Sequence, residues 1–192
     1  MYADCVQEGG CTEPSDTAYF SDSKYASHPV VYVSRDQANN YCAWADRRLP
    51  TEAEWEKAAS WNDAEQEKYV YPWGNDFNGS LLNFCDTNCP FDWADKNSDD
   101  GYSDTSPVGI YPNGASPYGA YDMAGNVWEW VSSIYKPYPF DPADESGDST
   151  SSDSAVLHGG SWYSYDGDVR SAFRFRGDPS GTGNDIGFRC AL

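Results

Sequence analysis

The chain has 192 residues, of which 39% are hydrophobic and 16% aromatic, and its formal net charge is −19. This length is enough to bury the core of one domain, and we expect a single domain over residues 1–192. The negative charge argues against binding to nucleic acid or anionic membranes, and it suits calcium or a cationic partner. Simple solubility in a salty or extracellular setting explains the charge equally well. Because no transmembrane run or signal peptide is recognisable, we expect no membrane insertion.

Two helices are predicted near the N-terminus. The Val-Val-Tyr-Val run at residues 30–33 first indicates a short buried strand. Ser34 and Gln37 then form a capping-box pattern, which predicts a helix over residues 35–45. Thr51 and Glu54 repeat the pattern and predict a second helix over residues 52–59.

The rest of the chain is predicted to consist mostly of loops. Residues 71–121 are rich in Gly, Asn, Asp and Pro, a composition typical of long loops that need disulfides or metals to stay ordered. Residues 127–131 and 186–191 indicate strands, and the acidic, Ser-rich residues 141–154 are expected to be a mobile insertion. The predicted fold class is therefore α+β and loop-rich, with two N-terminal helices and small antiparallel sheets.

Six cysteines are present, and an even number is typical of disulfide-bonded proteins from an oxidising compartment. This favours an extracellular or surface-displayed protein. Two pairs are close in sequence, and the remaining two cysteines would then join the first predicted helix to the C-terminus. A zinc site at the Cys-x-x-x-Cys spacing is the competing interpretation, but no histidine lies nearby. The six are Cys5, Cys11, Cys42, Cys85, Cys89 and Cys190.

Several motifs occur together and in order along nearly the whole chain. They are Tyr-Cys-Ala-Trp-Ala at 41–45, Arg-Leu-Pro-Thr-Glu-Ala-Glu-Trp-Glu at 48–56, Tyr-Pro-Trp-Gly-Asn at 71–75, Gly-Asn-Val-Trp-Glu-Trp at 125–130, Gly-Gly-Ser-Trp at 159–162 and Gly-Phe-Arg-Cys at 187–190. Together they resemble the formylglycine-generating enzyme (sulfatase-modifying factor) family. The resemblance implies a variant of the C-type lectin fold, and it supports a disulfide between Cys42 and Cys190.

The resemblance also implies two structural Ca²⁺ sites. Mixed carboxylate, amide and carbonyl oxygens are ligands that suit Ca²⁺. The first set consists of Asn83, the Phe84 carbonyl, Asp100 and the Tyr102 carbonyl. The second consists of Asp122, the carbonyls of Gly125 and Val127, and Glu129, with Asp122 standing where family members often carry Asn.

The chain departs from the family where the chemistry would take place. Enzymes of this family bind copper through two cysteines that follow the Gly-Gly-Ser motif, because a soft metal ion needs soft thiolate ligands. Here Ser164 stands near the first position, and no residue through Val169 supplies the second cysteine. The ergothioneine-type relatives use a histidine-bound iron, and this chain has only His28 and His158. We therefore expect no enzymatic activity and no catalytic residues.

The region from Gly159 to Arg189 contains anchor residues of the types Gly, Trp, Arg and Pro that match the family motifs. The intervening positions, called the filling here, are mostly Tyr, Phe, Ser, Gly and Asp. This pattern resembles the variable proteins of diversity-generating retroelements, in which adenines of a C-terminal repeat are rewritten, often within AAC codons. Such changes reach Tyr, Ser, Asp, Gly and Phe but never Lys, Glu, Gln, Met or Trp. Those five types make up 27 of the 192 residues, yet none occurs in the last thirty.

The composition of the filling is also that of an adaptable binding surface, since Tyr and Phe supply stiff contact area and Ser, Gly and Asp supply hydrogen bonds. Phe173 and Phe175 are open to a second interpretation, because alternation with Arg174 and Arg176 is typical of a half-buried strand. The variable region is placed at about residues 156–192. Its predicted ligand-binding residues are Tyr163, Ser164, Tyr165, Asp166, Gly167, Asp168, Phe173, Phe175, Gly177, Ser180, Gly181, Gly183 and Asp185.

The sequence thus predicts a monomeric, non-enzymatic variable protein that binds a protein or carbohydrate ligand on a scaffold stabilised by calcium and disulfides. Two alternatives stay open. One is an enzyme-family relative with another modifying or regulatory task, and the other is a sensor or carbohydrate-binding domain of a larger protein such as a kinase.

Overall fold

The computed structural model describes residues 1–139 and 153–192. Most of the insertion expected at residues 141–154 therefore lies outside the described residues. The helices are α1 (Tyr2–Gln7), α2 (Arg35–Trp44) and α3 (Glu52–Ser60), with 3₁₀ turns at Ser23–Tyr25 and Pro112–Gly114. The strands are β1 (Trp61–Asn62), β2 (Glu67–Lys68), β3 (Trp128–Ile134), β4 (Ala155–His158), β5 (Phe175–Gly177) and β6 (Ile186–Phe188).

Both predicted capping boxes are present, and they explain where α2 and α3 begin. The Ser34 hydroxyl accepts from the Gln37 backbone N–H at 3.2 Å, while the Gln37 side chain accepts from the Ser34 N–H at 3.0 Å. Thr51 and Glu54 make the same reciprocal pair. These bonds satisfy N–H groups that would otherwise lack partners at a helix start. The short α1 was not predicted; no side chain caps it, and a disulfide joins its Cys5 to Cys11 beyond its end.

The main sheet has four strands in the order β5-β4-β3-β6. The β5–β4 and β4–β3 pairs are antiparallel, as is the separate β1–β2 pair. The β3–β6 pair is parallel, with Trp128 opposite Ile186, so the expectation of purely antiparallel sheets is wrong for this pair. Parallel neighbours need a crossover connection, and here β4, β5 and the long loops around them form it.

Residues 30–33 do not form the predicted strand. Val31 and Val33 are buried as expected, but Tyr32 has φ 61°, which turns the chain out of the extended conformation. Its N–H donates to the Gly183 carbonyl at 2.8 Å, and the Val33 carbonyl accepts from the Trp130 indole at 3.0 Å. The backbone groups of this segment are therefore satisfied by loop and side-chain partners instead of a strand ladder.

Each of the two core clusters that pack on the main sheet contains an almost fully buried tryptophan. Trp130 is fully buried in a cluster that includes Trp128 and Leu157, and Trp55 of α3 is buried in a second cluster with Val131 and Val156. A third cluster lies under the long loops and contains Tyr71, Leu82, Phe84, Ala124 and Val169.

All six cysteines form disulfides, in the pairs Cys5–Cys11, Cys42–Cys190 and Cys85–Cys89. The competing zinc interpretation of Cys85 and Cys89 is therefore wrong, because their sulfurs are bonded to each other. Three disulfides indicate a protein that forms in an oxidising environment. Across residues 1–139 and 153–192, no helix has the length and apolar character needed to cross a membrane.

Candidate ligand-binding surface

Two glycines end β4 and direct the chain into the loop that follows. Gly159 and Gly160 have φ of 95° and 73°, values that side chains with a Cβ rarely adopt. A Cβ on Gly160 would also lie 2.7 Å from a methyl carbon of Val169. Main-chain bonds then hold the turn against the segment before β3, from Gly125 N–H to the Gly159 carbonyl at 2.8 Å and from Trp162 N–H to the Asn126 carbonyl at 2.9 Å.

The segment from Ser164 to Val169, where the family's catalytic cysteine pair is expected, contains no cysteine. Ser164 is only 6% exposed, and its hydroxyl accepts from the Ser161 N–H at 3.1 Å. Its carbonyl accepts from the Cys85 N–H at 3.0 Å. Val169 is fully buried among apolar side chains. A hydroxyl and an isopropyl group do not fit a copper site that needs two thiolates, and every cysteine of the chain is already in a disulfide.

The predicted ligand-binding residues differ in exposure. Tyr165 is 51% exposed, whereas Ser164 is buried in a turn, so the structure does not bring Ser164 to the surface as predicted. The exposed positions are Tyr163, Tyr165, Asp166, Phe175 and Ser180. The partly exposed positions are Gly167, Asp168, Phe173, Gly177, Gly181, Gly183 and Asp185.

Phe173 and Phe175 take different roles. Phe173 packs against the core cluster that contains Trp130, whereas Phe175 is 49% exposed and stacks on Trp128 with ring centroids 5.4 Å apart. Phe173 therefore packs on the core as the second interpretation expected, but it lies before β5, whereas Phe175 is in β5 and is exposed.

Arg174, between these two aromatic residues, is held by a buried carboxylate. Its guanidinium forms a bidentate ion pair with Glu52 of α3, and its Cζ lies 4.5 Å from the centroid of the Tyr138 ring. Burial opposes ionisation of Glu52, but hydrogen bonds from His158 and Arg174 outweigh it and lower the pKa of Glu52. Because Arg174 directly precedes β5, this ion pair holds the start of β5 against α3 and so helps to position Phe175.

Contacts through two tryptophans connect Tyr163, residues 184–185 and Phe175. The rings of Trp162 and Tyr163 pack with their centroids 5.4 Å apart, and the Trp162 indole N–H donates to the Asn184 carbonyl at 3.3 Å. The next residue, Asp185, accepts from the Ser161 hydroxyl at 3.2 Å, and its carbonyl accepts from the N–H of Trp128, which stacks on Phe175. The loops at residues 163–168 and 180–185 and the exposed ring of Phe175 thus share buried Trp supports.

Two aromatic residues of this surface were missed in the sequence. The rings of Phe91 and Trp93 stack with their centroids 4.4 Å apart, and the centroids of the Phe91 and Tyr163 rings are 5.4 Å apart. The Trp93 indole also donates to the Tyr163 carbonyl at 3.4 Å. Their position directly after the Cys85–Cys89 disulfide was the available signal, because a disulfide fixes the start of a loop that would otherwise be assumed disordered.

The first predicted calcium set comes together in a buried polar site. The N–H groups of Phe84 and Tyr102 donate to the two Asp100 carboxylate oxygens at 3.0 and 2.8 Å. The Asn83 side-chain oxygen is buried and has no hydrogen-bond partner. Burial raises the pKa of Asp100 to about 7, as expected for a carboxylate without a nearby cation. Asn83 directly precedes Phe84, whose N–H binds the Asp100 carboxylate, and an unpartnered amide oxygen together with a buried carboxylate fits a hard cation such as Ca²⁺.

The second predicted set also lies together, but its carboxylates have other partners. Both oxygens of Glu129 accept from the Arg189 guanidinium, at 2.5 and 2.6 Å, and one also accepts from the Trp55 indole at 2.6 Å. Asp122 accepts from the Gly109 N–H at 2.7 Å. Because Glu129 is already neutralised by Arg189, this set fits Ca²⁺ less well than the first. Among the residues that the structure describes, no group of three or more His, Cys, Asp or Glu side chains forms a metal cluster.

Comparison with known families decides the relationship of the chain. The family described as "Sulfatase-modifying factor enzyme 1-like domain" matches residues 1–192. The chain belongs to this family. Its relatives include "Inactive C-alpha-formylglycine-generating enzyme 2" of Mus musculus, which is 40% identical over 85% of the chain and 48% of the relative. "Hercynine oxygenase" of Mycolicibacterium smegmatis is 40% identical over 76% of the chain and 33% of its own length.

This member of the sulfatase-modifying factor family spans about half the length, or less, of the curated relatives that it matches. Among solved structures, PvdO from Pseudomonas aeruginosa superposes with a TM-score of 0.62 at 28% identity, over 84% of this chain and 60% of PvdO. Treponema denticola variable protein 1 superposes with a TM-score of 0.63 at 21% identity, over 92% of this chain and 73% of that protein. These matches confirm the predicted C-type lectin variant of the family.

Proposed function

We propose that this chain is a non-enzymatic ligand-binding protein whose C-terminal surface is diversified by a retroelement. The observation that carries the proposal is that the segment expected to hold the catalytic cysteine pair has a buried serine at its start, Ser164, and no cysteine. The same loop exposes Tyr163, Tyr165 and Asp166. The site has lost the groups needed for oxidation, and the neighbouring surface has the composition of an adaptable binding site.

The amino-acid usage of the region supports the same proposal. From Tyr163 to the C-terminus the chain lacks all five residue types that adenine changes in AAC codons cannot produce. The exposed positions carry Tyr, Phe, Ser and Asp, all of which such changes can produce. The side chains that support the loop from below, Trp162 and Trp128, are of a type that these changes do not create.

The sequence of the flanking DNA tests retroelement diversification. We expect a near-copy of the codons for residues 159–189, differing at adenines, beside a reverse transcriptase gene. A flank without such a repeat would contradict diversification. Cysteine oxidation in a peptide substrate, assayed with added copper, tests the absence of enzymatic activity separately; turnover by the wild-type chain would contradict it.

The scaffold is proposed to bind structural Ca²⁺ at the set formed by Asn83, Phe84, Asp100 and Tyr102. The ligand is proposed to be a protein or carbohydrate bound outside the cell or at its surface, by a monomeric chain. Sedimentation of the purified protein tests the monomer, and display of residues 163–185 as a library tests which ligands the surface can take.

A second candidate function is a sensing or binding domain of a larger regulatory protein. It is favoured by the relative "Serine/threonine-protein kinase pkn1" of Chlamydia caviae, which is 39% identical over 87% of this chain but only 24% of the relative. An open reading frame that joins this chain to a kinase domain would support this candidate over the first.

A further inference from the structure

A cavity of about 330 Å³ lies beside the exposed loop at residues 163–168. Its size is at the lower end of the range for ligand pockets, about 300–1,000 Å³. Residues from two regions of the chain form its walls, and those from the loop belong to the proposed diversified surface. The lining residues are Phe77, Phe84, Cys85, Trp93, Asp95, Tyr165 and Asp166.

Two aromatic rings of the cavity wall are exposed, and the ring of Trp93 is also fixed in place. Trp93 is 53% exposed, but one of its faces stacks on Phe91 with an interplanar angle of 5°. The hydrogen bond from its indole to the Tyr163 carbonyl restrains the ring further. Tyr165 contributes a second exposed ring. The faces of aromatic rings attract cations, most strongly for Trp, and a fixed ring loses little entropy on binding.

The polar walls are acidic. Asp95 accepts from the Asn97 N–H at 2.9 Å and from the Ser98 hydroxyl at 2.8 Å, and these hydrogen bonds lower its pKa. Asp166 is exposed at the rim. None of the seven lining residues is basic. The nearby Arg170 directs its guanidinium to the Gly167 carbonyl at 2.8 Å.

We propose that this cavity receives a lysine or arginine side chain of a protein partner, held between the rings of Trp93 and Tyr165 and the carboxylates of Asp95 and Asp166. The inference rests on the proposed ligand-binding function and names the chemistry that this part of the surface recognises. An ammonium or guanidinium group satisfies both kinds of wall at once, by cation–π contact and by charge pairing. The net charge of −19 attracts such a partner from a distance.

The cavity also divides into a constant and a changeable wall. Phe77, Trp93 and Asp95 precede the proposed variable region, whereas Tyr165 and Asp166 lie within it. Diversification would then alter the rim of the cavity and leave the Trp93 ring and one carboxylate in place. Sister proteins would share the preference for a basic side chain and differ in what surrounds it.

The test uses small probes that differ in charge at nearly constant shape. N-acetyl-arginine N-methylamide and N-acetyl-lysine N-methylamide are titrated into the ¹⁵N-labelled full chain, with the citrulline and norleucine analogues as neutral controls. The indole resonance of Trp93 reports binding at the cavity, and it is assigned by its absence in Trp93→Phe. We expect at least one basic probe to shift this resonance with a Kd about fivefold lower than its neutral analogue.

Matched variants locate the interaction. We expect Trp93→Ala, followed through the backbone resonances around Asp95, to weaken binding of the basic probe about fivefold. We expect Asp166→Asn to weaken it about threefold. Asp92→Asn removes one exposed charge next to the cavity without changing its lining, and it should leave the Kd nearly unchanged. The variants alter exposed side chains, so unchanged spectra elsewhere serve as the check on folding.

The two possible failures are distinguishable. Equal binding of basic and neutral probes, or equal losses in Asp92→Asn and Asp166→Asn, would overturn the cavity inference. Neither result bears on diversification, which depends on the flanking DNA. A flank without a repeat, combined with charge-selective binding at Trp93, would overturn diversification and leave the cavity inference standing.

Discussion

Replacing Cys42 and Cys190 together with alanine should destabilise the protein more than removing any other disulfide. The bridge joins α2 to the C-terminal segment after β6 across 148 residues, whereas Cys85 and Cys89 are 4 residues apart. A cross-link stabilises mainly by restricting the unfolded chain, and the restriction grows with the logarithm of the closed loop. The long bridge therefore restricts nearly the whole chain, and the short one restricts a single turn.

The loop lengths give the expected magnitudes. Closure of 148 residues contributes about 5 kcal/mol at 25 °C, and closure of 4 residues about 2 kcal/mol. Cys42 and Cys85 are both almost fully buried, so the loss of sulfur packing is similar in the two double variants. The free energies of unfolding of the two variants should therefore differ by about 3 kcal/mol, which measures the contribution of loop-closure entropy.

Urea unfolding followed by tryptophan fluorescence measures the difference, with the calcium concentration held fixed because a bound ligand would shift the midpoint. The Cys42→Ala/Cys190→Ala variant should also show a larger m-value, because its unfolded state is less compact. Cys85→Ala/Cys89→Ala is the matched control. Equal losses in the two variants would refute the closure argument and would mean that local packing sets the contribution of each bridge.

Three further predictions concern metal binding, pH and backbone conformation. Calcium should raise the melting temperature, and Asp100→Asn should remove that shift; a shift that persists would place the cation elsewhere. Glu52→Gln should cost about 3–5 kcal/mol in urea unfolding, because it leaves the Arg174 charge without its buried partner. The fold lowers the pKa of Glu52, so its contribution is complete above the unfolded value of 4.5 and disappears as the pH falls through the folded value. Stability curves of wild type and Glu52→Gln should therefore converge in acid, and parallel curves would contradict the ion pair. Gly160→Ala should destabilise the protein by about 1–3 kcal/mol more than Gly119→Ala, which has a similar positive φ but open space around it; equal losses would show that the contact with the neighbouring valine does not matter.

The helices were predictable because their signals are local. A capping box needs only residues three positions apart, so Ser34 with Gln37 and Thr51 with Glu54 located the starts of α2 and α3 within one residue. The strand predicted at residues 30–33 failed because Tyr32 adopts a left-handed conformation to meet Gly183, about 150 residues later. No local pattern contains that information.

In the candidate site, too, some features followed from local sequence and others depend on long-range contacts. The absence of the catalytic cysteine pair from the segment between Ser164 and Val169 followed from the family motif alone. The burial of Ser164 did not, because it depends on the Cys85 N–H of a separate loop. The contribution of Trp93 was likewise hidden, since only the folded chain brings it against Tyr163. Residue identity predicted what the site has lost, and tertiary contacts determine which residues now form the surface.

The loop from Ser161 to Ser171 is held mainly through its main chain, and this affects how the protein can evolve. Bonds from Trp162 N–H to Asn126, from Cys85 N–H to the Ser164 carbonyl and from Ser171 N–H to Val70 use groups that every residue type except proline supplies. If the surface binds the proposed ligand, mutations at the exposed positions between them can change recognition while the loop keeps its shape. In the proposed function, stability and binding then depend on different atoms of the same loop, so a new specificity can arise without a new fold.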